Sequence, residues 1–298
     1  MSWFATSLAA LALAAFSQDV RVERYAVTGM VLSVAPESRA FVASIEPIPG
    51  YMAAMTMSFR VRDAKELAAV EPGAIIAFTL VVSAASSHAE GIRVRRYEGL
   101  EQDPLSARRL SLLKQIASGA ASKALPIGAV VPDFRLVDHK GRPFALTQAR
   151  GKVVAINFMY TTCKLPDFCL RIVNHFGVLQ KRFAQELGRD LVLLTITFDP
   201  VRDQPEVLDR YAAAWKPKPD AWRFLTGPPA DIQRVLEMFG MSAFPNEGLM
   251  DHSLRTALVD RAGRLVANIE GNQYTSDQLV DLTRSVLVRS GAPPGGRP

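Results

Sequence analysis

The chain has 298 residues, of which 49% are hydrophobic, 21% are charged and two are cysteines. This length predicts roughly two domains of about 150 residues, and the apolar share excludes a wholly disordered chain. The 35 Lys and Arg against 29 Asp and Glu leave a net charge of +6 with the basic residues scattered, which argues against nucleic acid as a partner. Two cysteines exclude a disulfide-rich scaffold and a zinc site made of cysteines alone.

The first seventeen residues form an apolar run, MSWFATSLAALALAAFS. Its length suits a signal-peptide core and is short for a membrane span. Ala15-Phe16-Ser17 before Gln18 fits the small-x-small cleavage pattern. We therefore expect residues 1–17 to be a cleaved signal peptide and the protein to be periplasmic or otherwise extracytoplasmic, with an uncleaved membrane anchor as the alternative. In such an oxidising compartment two thiols can form a disulfide bond.

Residues 18–98 have the pattern of a small all-β domain. Short strand-like runs, YAVTGMVLSV, RAFVASIE, AMTMSFRV, AIIAFTLVV and GIRVRRY, are separated by Gly, Pro and Ser. This spacing predicts a β-barrel of the OB-like kind or a sandwich. Residues 99–126 are polar and helix-prone up to Pro126, which indicates a linker.

From residue 127 to residue 298 the pattern changes to alternating strands and helices. The nearly continuous apolar run Val153–Met159 predicts a strand covered on both faces, and Leu191–Phe198 predicts a second. Between them, Ile172, Phe176 and Leu179 recur at helical spacing. This is the βαβ order of a sheet with parallel strands.

The rest of this region continues the same pattern. Asp203 and Glu206, with Pro205 between them, predict a helix start. The strands LRTALVD and RLVANIE follow as a hairpin, and Thr275 with Gln278 predicts a capping box for a final helix. The order βαβαβ, then a hairpin, then a helix predicts an α/β thioredoxin-like domain.

Both cysteines lie in one segment that directly follows the first buried strand. Cys163 and Cys169 have five residues between them, which excludes a Cys-x-x-Cys motif. Ile156 and Tyr160 stand where a peroxiredoxin has Pro and Thr, which argues against that peroxidase. Sites in open α/β sheets gather at the carboxyl ends of strands, and two soft thiolates suit Cu(I). A redox pair and a structural disulfide remain alternatives.

A three-coordinate metal site would need one more ligand. His252, in Asp251-His252-Ser253, directly precedes a predicted strand whose leading loop faces the cysteine loop in a thioredoxin-like fold. Asp251 is expected to orient its imidazole. The other three histidines are expected to be surface or packing residues; they are His88, His139 and His175.

The C-terminal region resembles the SCO/SenC family of copper-binding, thioredoxin-fold proteins. The resemblance rests on GAVVPDFRLVDHKGRPF, VVAINFMYTTCKLPDFC, TITFDPVRDQPEVLDRYAAAW and DHSLRTALVDRAGRLV, in that order. It implies copper held by Cys163, Cys169 and His252. It also implies a role in assembling the copper centre of cytochrome oxidase, with the copper-bearing subunit as partner, and a second, thiol-disulfide activity of the same cysteines. The usual family motif has three residues between its cysteines.

The N-terminal region resembles the CusF-like copper and silver-binding barrel through EPIPGYMAAMTMSF. Met55 and Met57 are two apart on a predicted strand, so both thioethers point to one face. Thioethers favour Cu(I) or Ag(I). The alternative is that Met55, Met57, Phe59 and Val61 are the inward face of a strand, since methionine is ordinary core material.

Three functions follow from these observations. The first is an exported copper chaperone for oxidase assembly, which is a carrier and not an enzyme. The second is a thiol-disulfide oxidoreductase acting on the cysteines of a client, for which Cys163 and Cys169 would be the catalytic pair. The third is a binding module that senses or scavenges copper. Contact with a membrane is expected only through the client or an uncleaved N-terminal segment.

Overall fold

The computed structural model describes residues 22–95, 124–163, 166–246 and 249–291. The predicted signal peptide and nearly all of the predicted linker lie outside the described residues. Within the described ranges, no helix is long and apolar enough to cross a membrane.

The N-terminal part is a five-stranded antiparallel sheet in the order β3-β2-β1-β4-β5. Its strands are β1 (Glu23–Ala35), β2 (Ala40–Ile45), β3 (Met55–Arg60), β4 (Ile75–Val82) and β5 (Ser87–Val94). A bridge between Val61, just after β3, and Ala89 in β5 brings the two edge strands together. The sheet therefore closes into the small barrel that the sequence predicts. The rings of Phe41, Phe59 and Phe78 fill its centre, with centroids 4.9–5.6 Å apart.

The C-terminal part is a seven-stranded mixed sheet in the order β14-β13-β8-β9-β10-β6-β7. Only the β8–β9 and β9–β10 pairings are parallel among the described strands. The strands are β6 (Arg135–Asp138), β7 (Pro143–Ala145), β8 (Val153–Met159), β9 (Leu191–Thr197), β10 (Trp222–Thr226), β13 (Arg255–Val259) and β14 (Leu265–Glu270). A separate hairpin consists of β11 (Ala243–Asn246) and β12 (Leu249–His252). The helices are α1 (Arg171–Arg182), α2 (Pro205–Ala212), α3 (Pro229–Met238) and α4 (Ser276–Gly291).

Strands β8 and β9 form the centre of this sheet. Every residue of both strands is buried, and they pair in register from Val153 with Leu191 to Met159 with Thr197. Strands covered on both faces need apolar side chains on both, which is why their sequences are continuous and not alternating. The sequence-based prediction of two buried strands with a helix between them is confirmed.

Two predicted helix starts differ in outcome. At α4 the capping box is present: the Thr275 amide donates to Gln278 Oε1 (2.9 Å), and the Gln278 amide donates to Thr275 Oγ1 (3.1 Å). Helix α2 does begin at Pro205, but its N-cap residue is Gln204, and no side chain caps it. The carboxylate of Asp203 is turned into the protein instead. The prediction of a helix start was therefore right, although Asp203 does not cap the helix.

The barrel is docked against helix α4. Ser44 Oγ and Thr56 Oγ1, from neighbouring barrel strands, both donate to Asp281 Oδ2, at 2.8 and 2.9 Å. Gln278 Nε2 donates to the Ser44 carbonyl oxygen at 3.3 Å. The two parts of the chain thus share a polar contact centred on one carboxylate.

Apolar side chains extend this contact. Met30, Leu32 and Ile75 of the barrel are buried in the same cluster as the α/β core. Gly73 sits at φ +88°, and a Cβ added there would lie 3.0 Å from a side-chain carbon of Ile269. The close approach and the positive φ both call for glycine. The domain boundaries at residues 98 and 127 stay predictions.

We expect Asp281→Ala to weaken the docking of the barrel. Two hydroxyl donors lose a charged acceptor, a change worth about 1.5–3 kcal/mol per bond at most. Asp277→Ala is the matched control, because Asp277 lies on the same helix and makes a solvent-exposed ion pair with Arg182 of the α/β domain, worth about 0–1 kcal/mol. Urea unfolding and amide hydrogen exchange of β2 and β3 measure the effect. Equal exchange rates in the two variants would contradict the prediction.

Candidate metal centre

The first cysteine is placed by the end of β8. The chain leaves the strand at Met159 and turns over Tyr160–Cys163, where the Cys163 amide donates to the Tyr160 carbonyl oxygen at 3.3 Å. The Cys163 side chain is half-buried. It therefore stands at the carboxyl edge of the sheet, where the sequence predicts a site.

The second cysteine belongs to a kinked turn, Pro166–Leu170, that leads into α1. The Cys169 side chain is completely buried. One turn further along, the Ile172 carbonyl oxygen accepts a bond from Asn157 Nδ2 of β8 at 3.3 Å. This bond joins the start of α1 to the strand that carries the first cysteine.

The histidine comes from the opposite side, on the last residue of β12. His252 Nδ1 lies 2.9 Å from the Ser253 carbonyl oxygen. A carbonyl oxygen only accepts, so Nδ1 carries the proton in this bond and Nε2 keeps its lone pair. Nε2 lies 4.0 Å from Cys169 Sγ.

The two sulfurs and His252 Nε2 all lie within 4.8 Å of one another. Thiolate and imidazole ligands about 2.0–2.3 Å from a shared ion, as on zinc, are at most about 4.6 Å apart. A single ion therefore needs only a small inward movement of the ligands. This cluster is the one set of three potential metal ligands found in the described ranges.

The walls of the site are aromatic. The ring of Phe198 lies 4.5 Å from that of His252, and the ring of Tyr160 lies 5.7 Å from it. Burial, together with the neighbouring Cys163 thiolate, raises the pKa of Tyr160 to about 12. Tyr160 therefore stays a neutral phenol at physiological pH.

The two thiols influence each other. The hydrogen bond with Cys163, and then burial, raise the pKa of Cys169 far above its ordinary value. Without a metal, the pair therefore holds at most one negative charge near neutral pH. A bound cation must displace the remaining proton, because thiolates and not thiols are the metal ligands.

The structure brings together three of the residues that the sequence singles out, namely Cys163, Cys169 and His252. Nothing is described of the Asp251 side chain, so its predicted orienting role stays a prediction; the described partner of His252 Nδ1 is the Ser253 carbonyl. A side-chain hydrogen bond links Cys163 and Cys169.

The other histidines lie elsewhere. His139 and His175 are buried, His139 accepting a bond from the Phe224 amide and His175 bonding Ser276 Oγ at 2.6 Å. His88 lies in β5, with Nε2 3.6 Å from a carboxylate oxygen of Glu90.

Burial increases along the strand that carries Met55 and Met57. Along one face of β3 and the residue after it, Met55 is 49% exposed, Met57 is half-buried and packs on the barrel core, and Phe59 and Val61 are buried. Because Phe59 and Val61 are buried, this is the inward face of the strand, as the alternative interpretation of the methionines expects. Met55 lies at its exposed end. A metal role for Met55 and Met57 stays a prediction.

Sequence reasoning missed two residues beside the cysteine loop. Thr161 and Thr197 both direct their hydroxyl groups at the buried Asp203 carboxylate. The signal was present, because a hydroxyl residue ends or follows each of two neighbouring buried strands. Asp203, six residues after Thr197, also matched a common helix start, and that local pattern concealed its inward role.

The fold and the cluster define a thioredoxin-like domain with two thiols and an imidazole at the carboxyl edge of its sheet. The SCO1/SenC family matches residues 123–287, more than half of the chain. The chain belongs to that family. Residues 24–92 match a second family, described as the copper binding periplasmic protein CusF.

Several individual proteins are similar to this chain. The SCO2-like protein RT0576 of Rickettsia typhi is 31% identical over 140 residues, covering 45% of this chain and 66% of that protein. The ScoI structure of Bradyrhizobium japonicum with copper bound is 27% identical, covers 53% of this chain and 99% of that one, and has a TM-score of 0.45. A structure of BsSco, described through a disulfide switch and as a member of the Sco family of cytochrome c oxidase assembly proteins, is 25% identical, covers 55% and 97%, and has a TM-score of 0.47.

Proposed function

We propose that this protein is an exported copper carrier that holds one Cu(I) ion between Cys163, Cys169 and His252 and delivers it during assembly of the copper centre of cytochrome oxidase. The observation that carries the proposal is the convergence of these three side chains, from the cysteine segment and from the end of β12, to within 4.8 Å. Two thiolates and an imidazole are a soft donor set that suits Cu(I).

The surroundings of the cluster support a carrier. Cys163 is half-buried, whereas Cys169 is completely buried. Copper can therefore exchange with a partner's thiols through Cys163 while Cys169 and His252 still hold it. Membership of the SCO1/SenC family supports the copper-bearing subunit of the oxidase as the client. Export to the periplasm is supported by the apolar run at residues 1–17 and by the CusF match.

We expect the reduced protein to bind Cu(I) tightly at this site. In competition with a chromogenic Cu(I) chelator, Cys163→Ala, Cys169→Ala and His252→Ala should each weaken binding by about 100-fold or more, above the range typical for residues that only support ligands. His88→Ala, which changes a histidine of the barrel, is the matched control and should bind as the wild type does. Undiminished binding in all three site variants would refute the proposal.

A second candidate function is thiol-disulfide exchange on a client's cysteines. The closeness of the two cysteine side chains, one of them half-buried and the other buried, favours it. Thiol-disulfide exchange transfers two electrons: the protein's dithiol becomes a disulfide as the client's disulfide becomes a dithiol. The cysteines are required for this reaction and His252 is not.

The redox candidate predicts a reduction potential for the Cys163–Cys169 pair above about −300 mV, since structural disulfides lie below that value. It also predicts that His252→Ala keeps its activity in reducing a disulfide substrate while losing copper affinity. Equilibration with glutathione buffers gives the potential. A potential well below −300 mV would indicate a structural disulfide, and loss of both activities in His252→Ala would favour copper alone.

We also propose that the barrel binds a second Cu(I) or Ag(I) through Met55 and Met57. The exposure of Met55 at the open end of the inward face supports access for an ion. The double variant Met55→Ile, Met57→Ile preserves apolar volume and removes both sulfurs. We expect it to lower the Ag(I) stoichiometry from two per chain to one, measured by titration. Unchanged stoichiometry would remove the barrel from the mechanism.

A further inference from the structure

A buried carboxylate lies beside the cysteine loop and has no part in the function proposed above. Asp203 is 1% exposed. Its oxygens accept bonds from the Thr161 amide (3.0 Å), from Thr161 Oγ1 and from Thr197 Oγ1 (2.5 Å). All three donors lie at the carboxyl ends of β8 and β9.

Thr161 is part of the turn that presents the first cysteine. The backbone bond that closes this turn, from the Cys163 amide to the Tyr160 carbonyl oxygen, is 3.3 Å long, against a usual N–H···O distance of about 2.9–3.0 Å. The bonds from Thr161 to the Asp203 carboxylate are charge-assisted, and such bonds are about twice as strong as neutral ones. The Asp203 carboxylate therefore restrains this turn more strongly than the backbone bond does.

The strands themselves do not need this carboxylate. The ladder between β8 and β9 already runs to Met159 and Thr197, and the Phe198 amide donates to the Met159 carbonyl oxygen at 3.0 Å. Burial is costly for a carboxylate and raises the pKa of Asp203. The hydrogen bonds from Thr161 and Thr197 lower this pKa, but it stays above its usual value. Apolar side chains of similar volume commonly stabilise a core as well as buried charges do.

We propose that Asp203 is a positioning residue of the metal centre, which holds Thr161 and thereby aims the Cys163 thiol at Cys169 and His252. The inference rests on the proposed function for its consequence, which is copper affinity. The alignment of the two thiols that it predicts applies to the metal-free protein as well. Each ligand-bearing segment is then held by its own hydrogen bond. The Ser253 carbonyl oxygen holds the His252 ring. The bond from Asn157 to the Ile172 carbonyl oxygen holds the start of α1, next to Cys169, and Asp203 holds the turn that carries Cys163.

The central test compares Asp203→Asn with Asp138→Asn in the full chain. Asp138 is also fully buried and accepts the Lys140 and Arg142 amides, both at 2.9 Å, but it lies on β6, three strands from β8. We expect Asp203→Asn to lower Cu(I) affinity by about 10–100-fold, the range for residues that orient metal ligands. Asp138→Asn should destabilise the fold and leave Cu(I) affinity within about threefold of the wild type, as expected for an independent site.

Substitutions at Thr161 test the same restraint with less risk to folding. Thr161→Val removes the hydroxyl donor at nearly constant shape, and Thr161→Ser retains it. We expect Thr161→Val to weaken Cu(I) binding and to change the absorption of the Cu(II)–thiolate complex, and Thr161→Ser to restore both. Equal behaviour of the two variants would overturn the proposal even if Asp203→Asn does not fold.

The metal-free reduction potential separates this inference from the proposed function. A loosened Cys163 turn lowers the effective concentration of one thiol at the other, so the disulfide of Asp203→Asn should form less readily. We expect the equilibrium constant against glutathione to change by about tenfold, which is about 30 mV for two electrons. If the wild type binds no Cu(I), the carrier proposal fails. The difference in reduction potential between the wild type and Asp203→Asn still decides the role of Asp203. A wild-type potential in Asp203→Asn, or equal loss of copper affinity in Asp138→Asn, would overturn it.

Discussion

The backbone ladder between β8 and β9 is the constraint on which the rest of the α/β domain depends. Both strands are buried along their whole length, so their register cannot slip without exposing apolar side chains or burying polar ones. Their last pair, Met159 with Thr197, sets where each chain leaves the sheet. One exit leads to Cys163 and the other to Asp203, and the two loops meet because the strands are parallel and end together.

The third ligand arrives through the other neighbour of β8. Strand β13 pairs with β8 from Thr256 opposite Asn157 to Val259 opposite Val154, so the segment before β13 lies at the edge where β8 ends. His252 precedes Thr256 by four residues and therefore reaches the cysteines. The two segments that form the site, the cysteine segment and the end of β12, are distant in sequence and are held together by one shared sheet.

Periodicity and spacing predicted much of this arrangement. Continuous apolar runs identified β8 and β9, and the position of His252 before a strand predicted its approach to the cysteines. What sequence could not supply were contacts whose partners are far apart in the chain. Asp203 satisfied a local rule for helix starts, and only the packed sheet shows that Thr161 and Thr197 are better partners for its carboxylate. The hairpin β11–β12 was also missed, because four-residue strands carry too short a pattern to recognise.

The barrel was predicted from the same kind of pattern, but its attachment was not. Nothing in the periodicity of residues 23–94 indicates that Ser44 and Thr56 share an acceptor on the last helix. The contact between the barrel and the α/β domain combines a buried apolar patch with the Asp281 carboxylate, which accepts hydrogen bonds from the two hydroxyl groups. Such a contact joins the two folds more firmly than a tether of the predicted length does, since a flexible tether restricts position only weakly.

Gln278 illustrates how this attachment changes the meaning of a common motif. A capping box accepts either Glu or Gln at its third helical position, because only the side-chain oxygen is used. Here Oε1 serves the box and Nε2 reaches the Ser44 carbonyl oxygen of the barrel. A glutamate would keep the first bond and set an oxygen against the second. The contact with the barrel therefore gives a physical reason for glutamine at a position where the capping box alone would accept glutamate equally well.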